Sequence, residues 1–313
     1  MKTFKDLQDE VLEWMAREND TGLVLTLVKT SINRIQQKLV TAGMFDFMLW
    51  PTTETLSVTA DKRLYSLHPL FGQGLFFYNP TINEYMEEVP LRAMMESQRD
   101  WQDGSIDEPD AFTLTGVSRV QNQPTAAGVV VATAGGTELA TNSVVVTGIS
   151  GGVVREETLF SVTNWTSITG TVSFDKIISI TKVVGGTSWT AHLTLTVGST
   201  TILDLLTSEY GHNFQQLELL GNPTRSSTIH YRFYQKVRDL VRDYDIPHIP
   251  EEFSELLVLG TLLKMHGYTR ATAAEQKMWQ SDYDELQKGL IDTHTHPRTI
   301  AGRPKFVTMI PRV

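Results

Sequence analysis

The sequence predicts an α+β protein: a helical host domain with a small β portion, interrupted by an all-β sandwich insert of immunoglobulin type. Composition gives the first sign. From about Val117 to Asn213 the chain is built of Val, Thr, Ser, Gly and Ile with only about ten charged residues, whereas elsewhere about one residue in four is charged. Hydrophobic period gives the second: the flanks space apolar residues three and four apart, while the middle alternates in short runs bounded by glycine. An inserted domain is tolerated where its two ends leave one surface loop. The expected organisation is therefore 1–116 as the first part of the host, 117–213 as the insert, 214–291 as the second part of the host, and 292–313 as an extended tail.

Along the first part, Phe4, Leu7, Val11, Leu12 and Met15 make one helical stripe. Asn19 to Gly22 breaks it, and Asp20 or Thr21 is the expected cap of a second helix from about Leu23 to Thr41. Strands follow at Leu56 to Thr59, Arg63 to Leu67 and Leu75 to Tyr78, with Phe71-Gly72-Gln73-Gly74 read as a flexible turn. Met86 to Val89 is a short extended piece. Pro90 opens a helix to about Gln98, and Ala111 to Thr115 is a strand running into Gly116.

In the insert, strands are expected at Gly128–Thr133, Ser143–Thr147, Leu159–Val162, Thr166–Phe174, Ile177–Val184, Trp189–Val197 and Ile202–Leu206. Turns fall at Ala134-Gly135-Gly136, Ser150-Gly151-Gly152 and Gly185-Gly186. About seven short strands at near-regular spacing are the signature of a sandwich. The host resumes with Gln216 to Leu220, a turn at Gly221-Asn222-Pro223, and an alternating strand from Ser227 to Phe233. Proline-bounded Asp245 to Pro250 leads to a helix that Glu251 and Glu252 favour at its start. Phe253, Leu256, Leu257, Gly260, Leu263 and Met265 give it a broad apolar surface, and a last helix spans about Ala271 to Leu290.

At 313 residues, with 41% hydrophobic and 20% charged residues, the chain has room for about two cores. The absence of cysteine excludes disulfides and thiolate metal sites. The N-terminal residues lack an apolar signal core, and no apolar run reaches membrane-spanning length, so a soluble product without membrane association is expected. A formal charge of −9 argues against a general binder of phosphate backbones.

Neither a phosphate loop, a dinucleotide fingerprint nor a Gly-x-Ser-x-Gly elbow is present. No cofactor, no metal and no catalysis are expected. His294-Thr295-His296, with Asp292 nearby, is the pattern closest to a metal site, but a site needs three or four supported ligands, and we read these as exposed tail histidines. Asp239, Asp243 and Asp245 stand beside Arg238 and Arg242, where solvated ion pairing is the simpler reading than acid–base work. Trp165 and Trp189 could stack on sugars, which would make the insert a glycan-binding module of a tail or baseplate component; at least one reads as core. The tail combines basic residues (Arg298, Arg303, Lys305, Arg312) with an apolar strand-like stretch containing Phe306, Met309 and Ile310. Those seven residues are the expected partner-binding segment, suited to strand addition on another chain.

Taken in order, the host elements resemble the head-to-tail adaptor (connector, or head-completion) proteins of tailed bacteriophages. The resemblance rests on the Thr3-to-Leu7 helix start, the second helix with Ile32-Asn33 at its centre, the strand pair around Arg63 to Pro69, and the passage from Gly104 to Gly116. It continues with Leu217 to Pro223 before the Ile229–Phe233 strand, and with Asp245 to Phe253 leading into the apolar helix. It implies a non-enzymatic virion protein of the neck, made in the bacterial cytoplasm. Such a protein forms a ring, typically of twelve copies, under the portal protein, with a tail or nozzle protein below, and DNA passes through the channel without sequence-specific contact. The insert departs from that pattern and is implied to be an outward decoration between two segments that would otherwise neighbour each other.

Overall fold

The computed structural model describes residues 1–295 except 19, 94–103, 187, 208 and 270. The chain divides into two compact units, Met1–Pro51 with Phe233–Val313, and Thr52–Arg232.

The first unit is helical. Helix α1 (Phe4–Trp14) starts at a capping box in which Thr3 and Asp6 satisfy each other's backbone N–H groups. Helix α2 (Leu23–Thr41) begins instead at Gly22 with no side-chain cap; Asp20 Oδ1 accepts the Gly22 N–H at 3.1 Å, so neither Asp20 nor Thr21 takes the expected capping position. A 3-10 turn at Glu251–Phe253 leads to α3 (Glu255–Lys264), and α4 (Ala273–His294) opens on a second capping box, Thr272 with Glu275. Every residue of α3 from Leu256 to Leu262 is buried, so this short helix has no solvent face over that span. It packs against α1, α2 and α4. Gly260 lets them close in: a Cβ there would lie 2.8 Å from Ile35 on α2 and 3.0 Å from Tyr283 on α4. Trp50 stacks on Phe233 at 5.6 Å, and Leu49 bridges to Tyr234.

The second unit is built of strands: β1 (Glu54–Val58), β2 (Leu64–Ser66), β3 (Phe71–Asn79), β4 (Glu84–Tyr85), β5 (Glu87–Glu88), β6 (Ser105–Ile106), β7 (Ala111–Ser118) and β8 (Gly128–Glu138). They continue as β9 (Ser143–Ser150), β10 (Val153–Leu159), β11 (Trp165–Phe174), β12 (Lys176–Val183), β13 (Leu193–Val197), β14 (Thr200–Leu205), β15 (Phe214–Leu219), β16 (Asn222–Pro223) and β17 (Ser227–Gln235). One sheet runs β1-β17-β3-β4 and another β2-β15-β7-β5, with β16 and β6 forming a small parallel pair. Phe77 stacks face to face on Tyr231 at 5.4 Å and meets Phe112 at 4.3 Å, which ties the two larger sheets together.

Between β7 and β15 lie a 4-stranded sheet, β11-β8-β13-β14, and a 3-stranded sheet, β10-β9-β12. Their inward residues, among them Val130, Val144, Leu159, Phe174, Ile180, Leu195 and Leu203, form one buried cluster, so the two sheets share a core. The strand order differs from a constant-type immunoglobulin domain, whose last two strands join the sheet of the third. Here β13 and β14 extend the sheet of β8. The β9–β10 hairpin closes through Gly151 and Gly152 at φ +58° and +80°, the backbone that a two-residue primed turn requires.

Several elements differ from the sequence reading. Gly72 to Gly74 lies inside β3, where pairing with β17 overrides the turn preference of glycine, and Ala134 to Gly136 lies inside β8, flanked by β11 and β13. Strand β10 hid behind Arg155, Glu156 and Glu157, charges that an edge strand carries outward. Trp189 precedes β13 rather than belonging to it. Only residues 91–93 of the helix expected after Pro90 are described, and they are helical. Among the described residues no helix is long and apolar enough to cross a membrane.

At one end of the sandwich sits the fully buried Glu138. Its Oε1 accepts from the Leu139 N–H and Asn142 Nδ2, and its Oε2 from the Thr190 and Ala191 N–H groups and the Thr190 hydroxyl. Burial alone would raise its pKa, but the hydrogen bonds from Leu139, Asn142, Thr190 and Ala191 outweigh that and hold the carboxyl below its usual range.

Two predictions follow from this packing. Gly260→Ala gains about 1 kcal/mol of helix propensity but forces α2 and α4 apart at a cost of about 1–3 kcal/mol; urea unfolding should show a net loss, and a stabilised variant would show that the helices part freely. For Glu138 the folded pKa is depressed, so its contribution is complete at neutral pH and fades as pH drops through the ordinary carboxylate range towards the folded value. Thermal melts should fall with acid more steeply in the wild type than in Glu138→Gln, which should itself lose about 1–3 kcal/mol at pH 7.

Candidate functional site

The seven tail residues expected to bind a partner (Arg298, Arg303, Lys305, Phe306, Met309, Ile310 and Arg312) lie outside the described residues. What the structure does describe is the anchorage from which that segment leaves. Helix α4 continues through His294, past the point where the sequence suggested a tail, and Thr295 bridges to Phe45. His294 is not an exposed tail residue. Its side chain is 18% exposed, with Nδ1 2.9 Å from Asp46 Oδ1 and Nε2 3.3 Å from Glu252 Oε1. The ring meets Phe47 and Phe253 edge-on at 5.4 and 5.7 Å. Sequence spacing missed this because the partners come from elements some 250 and 40 residues distant, as the 248- and 42-residue separations record.

The same geometry changes the reading of His294 within the His294–His296 pattern. His294 ends a helix, so alternation along a strand does not apply, and both ring nitrogens already face carboxylates. His296 lies outside the described residues. Among the described residues no group of three or more His, Cys, Asp or Glu side chains could hold a metal ion.

The acidic stretch before Pro247 is a fastening, with partners other than the Arg238 and Arg242 side chains. Asp239 Oδ1 accepts from Gln37 Nε2 at 2.7 Å, and Asp243 pairs with Lys29 at 3.6 Å. Asp245 Oδ2 accepts the N–H groups of Val241 and Arg242. The backbone carbonyls of Asp245 and Asp243 accept the N–H groups of Phe4 and Lys5, filling the open first turn of α1. Two amides on α2 hold the stretch in register. Asn33 exchanges a pair of hydrogen bonds with the backbone of Leu240, and the buried Gln36 donates to the Arg238 carbonyl and accepts from the His248 N–H. Burial and the charge of Arg238 push the His248 pKa down, which keeps its ring neutral. In the sequence, Ile32-Asn33 stood out only as the centre of a helix.

Trp165 and Trp189 meet edge to face at 5.8 Å inside the sandwich core, both at most 5% exposed, so neither offers a face to a sugar. The two strands that flank the sandwich pair with each other: β7 and β15 are antiparallel from Leu219↔Phe112 to Phe214↔Ser118, with a one-residue register shift between Gln215 and Leu217.

The anchorage generates its own prediction. His294→Ala should lower stability by about 1–2 kcal/mol, a charge-assisted bond discounted for partial exposure. A double-mutant cycle with Asp46→Asn should show coupling; additive losses would mean the contact contributes nothing.

The sequence profile of the family described as SU10 adaptor protein matches residues 2–165, a span running from the start of α1 through β10 to the first residue of β11. No curated protein matches the chain. With half of its length accounted for by that profile, the chain belongs to the SU10 adaptor protein family and is a structural adaptor protein of a bacteriophage.

Proposed function

We propose that the protein is a head-to-tail adaptor of the virion neck, forming a ring under the portal and linking capsid to tail around the DNA channel. The family match over residues 2–165 carries the reading. In it the protein is structural rather than catalytic, twelve copies close the ring, and the portal above and a tail or nozzle protein below are its partners. Ring closure sets one patch of each copy against a different patch of the next. The acidic balance of −9 suits a conduit that DNA must pass without being held. The segment containing Arg298, Arg303, Lys305, Phe306, Met309, Ile310 and Arg312 docks on the portal or on a neighbouring copy. The anchorage of α4 at His294 supports this by giving that segment a fixed point of departure. The two-layer sandwich is a module carried between β7 and β15, whose mutual pairing lets the host sheet close beneath it.

Native mass spectrometry of the chain, alone and with the portal protein of the same genome, tests this. A closed multi-copy ring, or stoichiometric capture by the portal, is expected. Capture should be lost when residues 296–313 are removed, with helicity unchanged by circular dichroism. A chain that stays monomeric and ignores the portal would overturn the reading.

A further inference from the structure

Three cations gather where α2, α3 and α4 meet. Arg34 and Lys38 are one helical turn apart on α2, and Lys264 ends α3; together they line a cavity of about 390 Å³. Among the described residues none of the three side chains makes an ion pair. In a chain of net charge −9, a cavity lined by three cations and no acid reverses the overall charge locally. Tyr283 also lines the cavity. It is 6% exposed, and among the described residues its buried hydroxyl has no hydrogen-bond partner, a state that costs free energy unless something fills it. Gln280 completes the polar wall; its Nε2 is engaged by Asp284 Oδ1 at 2.8 Å.

We propose that this cavity binds a phosphate-type oxyanion, held by Arg34, Lys38 and Lys264, towards which the buried Tyr283 hydroxyl turns to donate. The stoichiometry of charge selects the ligand class. A carboxylate would balance one cation and leave two, whereas a phosphate group carries up to two negative charges and several acceptor oxygens for guanidinium, ammonium and hydroxyl donors. The ionisation of the lining groups is consistent with such a ligand. Burial and the charges of Arg34 and Lys38 hold the Lys264 pKa below its usual value, a repulsion that an anion relieves. Burial, then the Asp284 charge, raises that of Tyr283 and keeps its hydroxyl a donor. The phosphate has two sources that share its oxygen chemistry: a free oxyanion brings up to two charges on one phosphorus, whereas a nucleic-acid backbone carries one per phosphodiester and would match the charge by setting two neighbouring phosphates there.

The test uses the full chain and two variants, Lys264→Gln on the surface and Tyr283→Phe, which keeps the ring against Gly260. Thermal melts in phosphate and in chloride at equal ionic strength are compared, and pyrophosphate affinity is measured by calorimetry. The wild type should be stabilised by phosphate beyond chloride. Lys264→Gln should weaken pyrophosphate about tenfold, the loss of one charged hydrogen bond. Tyr283→Phe should weaken it about fivefold while melting no lower than wild type in chloride, because the group removed is unpartnered in the free protein. Equal responses to phosphate and chloride, or pyrophosphate affinity unchanged by either substitution, would overturn the proposal. A short DNA duplex at fixed salt separates the sources. DNA binding that weakens in both variants places the phosphate on nucleic acid, and no DNA binding beside intact pyrophosphate binding makes it a free oxyanion; either result supports the site.

Discussion

The helical unit depends on how closely α2 and α4 approach α3 at Gly260. Buried throughout from Leu256 to Leu262, α3 stabilises the unit only if every side of it finds apolar partners. Each fully buried leucine or valine there contributes on the order of 1.5–3 kcal/mol. A side chain at position 260 would hold Ile35 and Tyr283 away and open the core on two sides at once. The cation-lined cavity is a consequence of the same contact. Arg34 and Lys38 flank Ile35 on α2, Lys264 lies one turn beyond Gly260, and Gln280 lies one turn before Tyr283. The spacing that sets Ile35 and Tyr283 against Gly260 therefore brings the polar residues one turn away to its rim.

Around that core, the irregular stretch from Arg238 to Pro250 is fixed by polar groups rather than by apolar burial. Its carbonyls close the first turn of α1, and its own backbone is satisfied by Asn33, Gln36 and Asp245. A segment without regular hydrogen bonding has to be satisfied group by group, and two amide side chains one turn apart on α2 can do this because each both donates and accepts. The acidic residues thus act through single, specific acceptor positions. Read as a run of charges, they point to solvated pairing with their arginine neighbours; in place, Asp239 and Asp243 face Gln37 and Lys29 on α2, and Asp245 holds the backbone of its own stretch.

Legibility in the sequence followed the range of the forces involved. Helix α2 could be read to the residue, because a stripe of Val28, Ile32, Ile35 and Leu39 is a local signal, whereas α1 ends at Trp14, short of the break expected at Asn19. The glycine-rich parts of β3 and β8 could not, since their strand character comes from neighbours far along the chain. The sandwich was visible as a composition shift and as alternation, yet its sheet order was not, because alternation tells which face a residue takes and not which strand lies beside it. At the anchorage of α4, the helix pattern predicted an end at Leu290. The last turn to His294 is held by Asp46, Glu252, Phe47 and Phe253, none of them near in sequence.

The junction of sandwich and host sheet shows why a composition boundary is not a mechanical one. The ladder of β7 and β15 runs out to Ser118 and Phe214, so the strands remain paired to the point where the sandwich begins. Phe214, the last rung, buries its side chain in the sandwich cluster, as does Val120 two residues past its partner Ser118. The Ser66 and Ser118 hydroxyls both donate to the Val120 carbonyl, and the Gln215 carbonyl accepts from the Leu67 N–H. A swinging module would need a joint where backbone groups are solvated and side chains are free of both cores. Here the residues that finish the host ladder also belong to the sandwich core, so bending the junction would expose Phe214 and break the last rungs together. The physical coupling accounts for a single compact unit from Thr52 to Arg232, even though the sequence changes character within it.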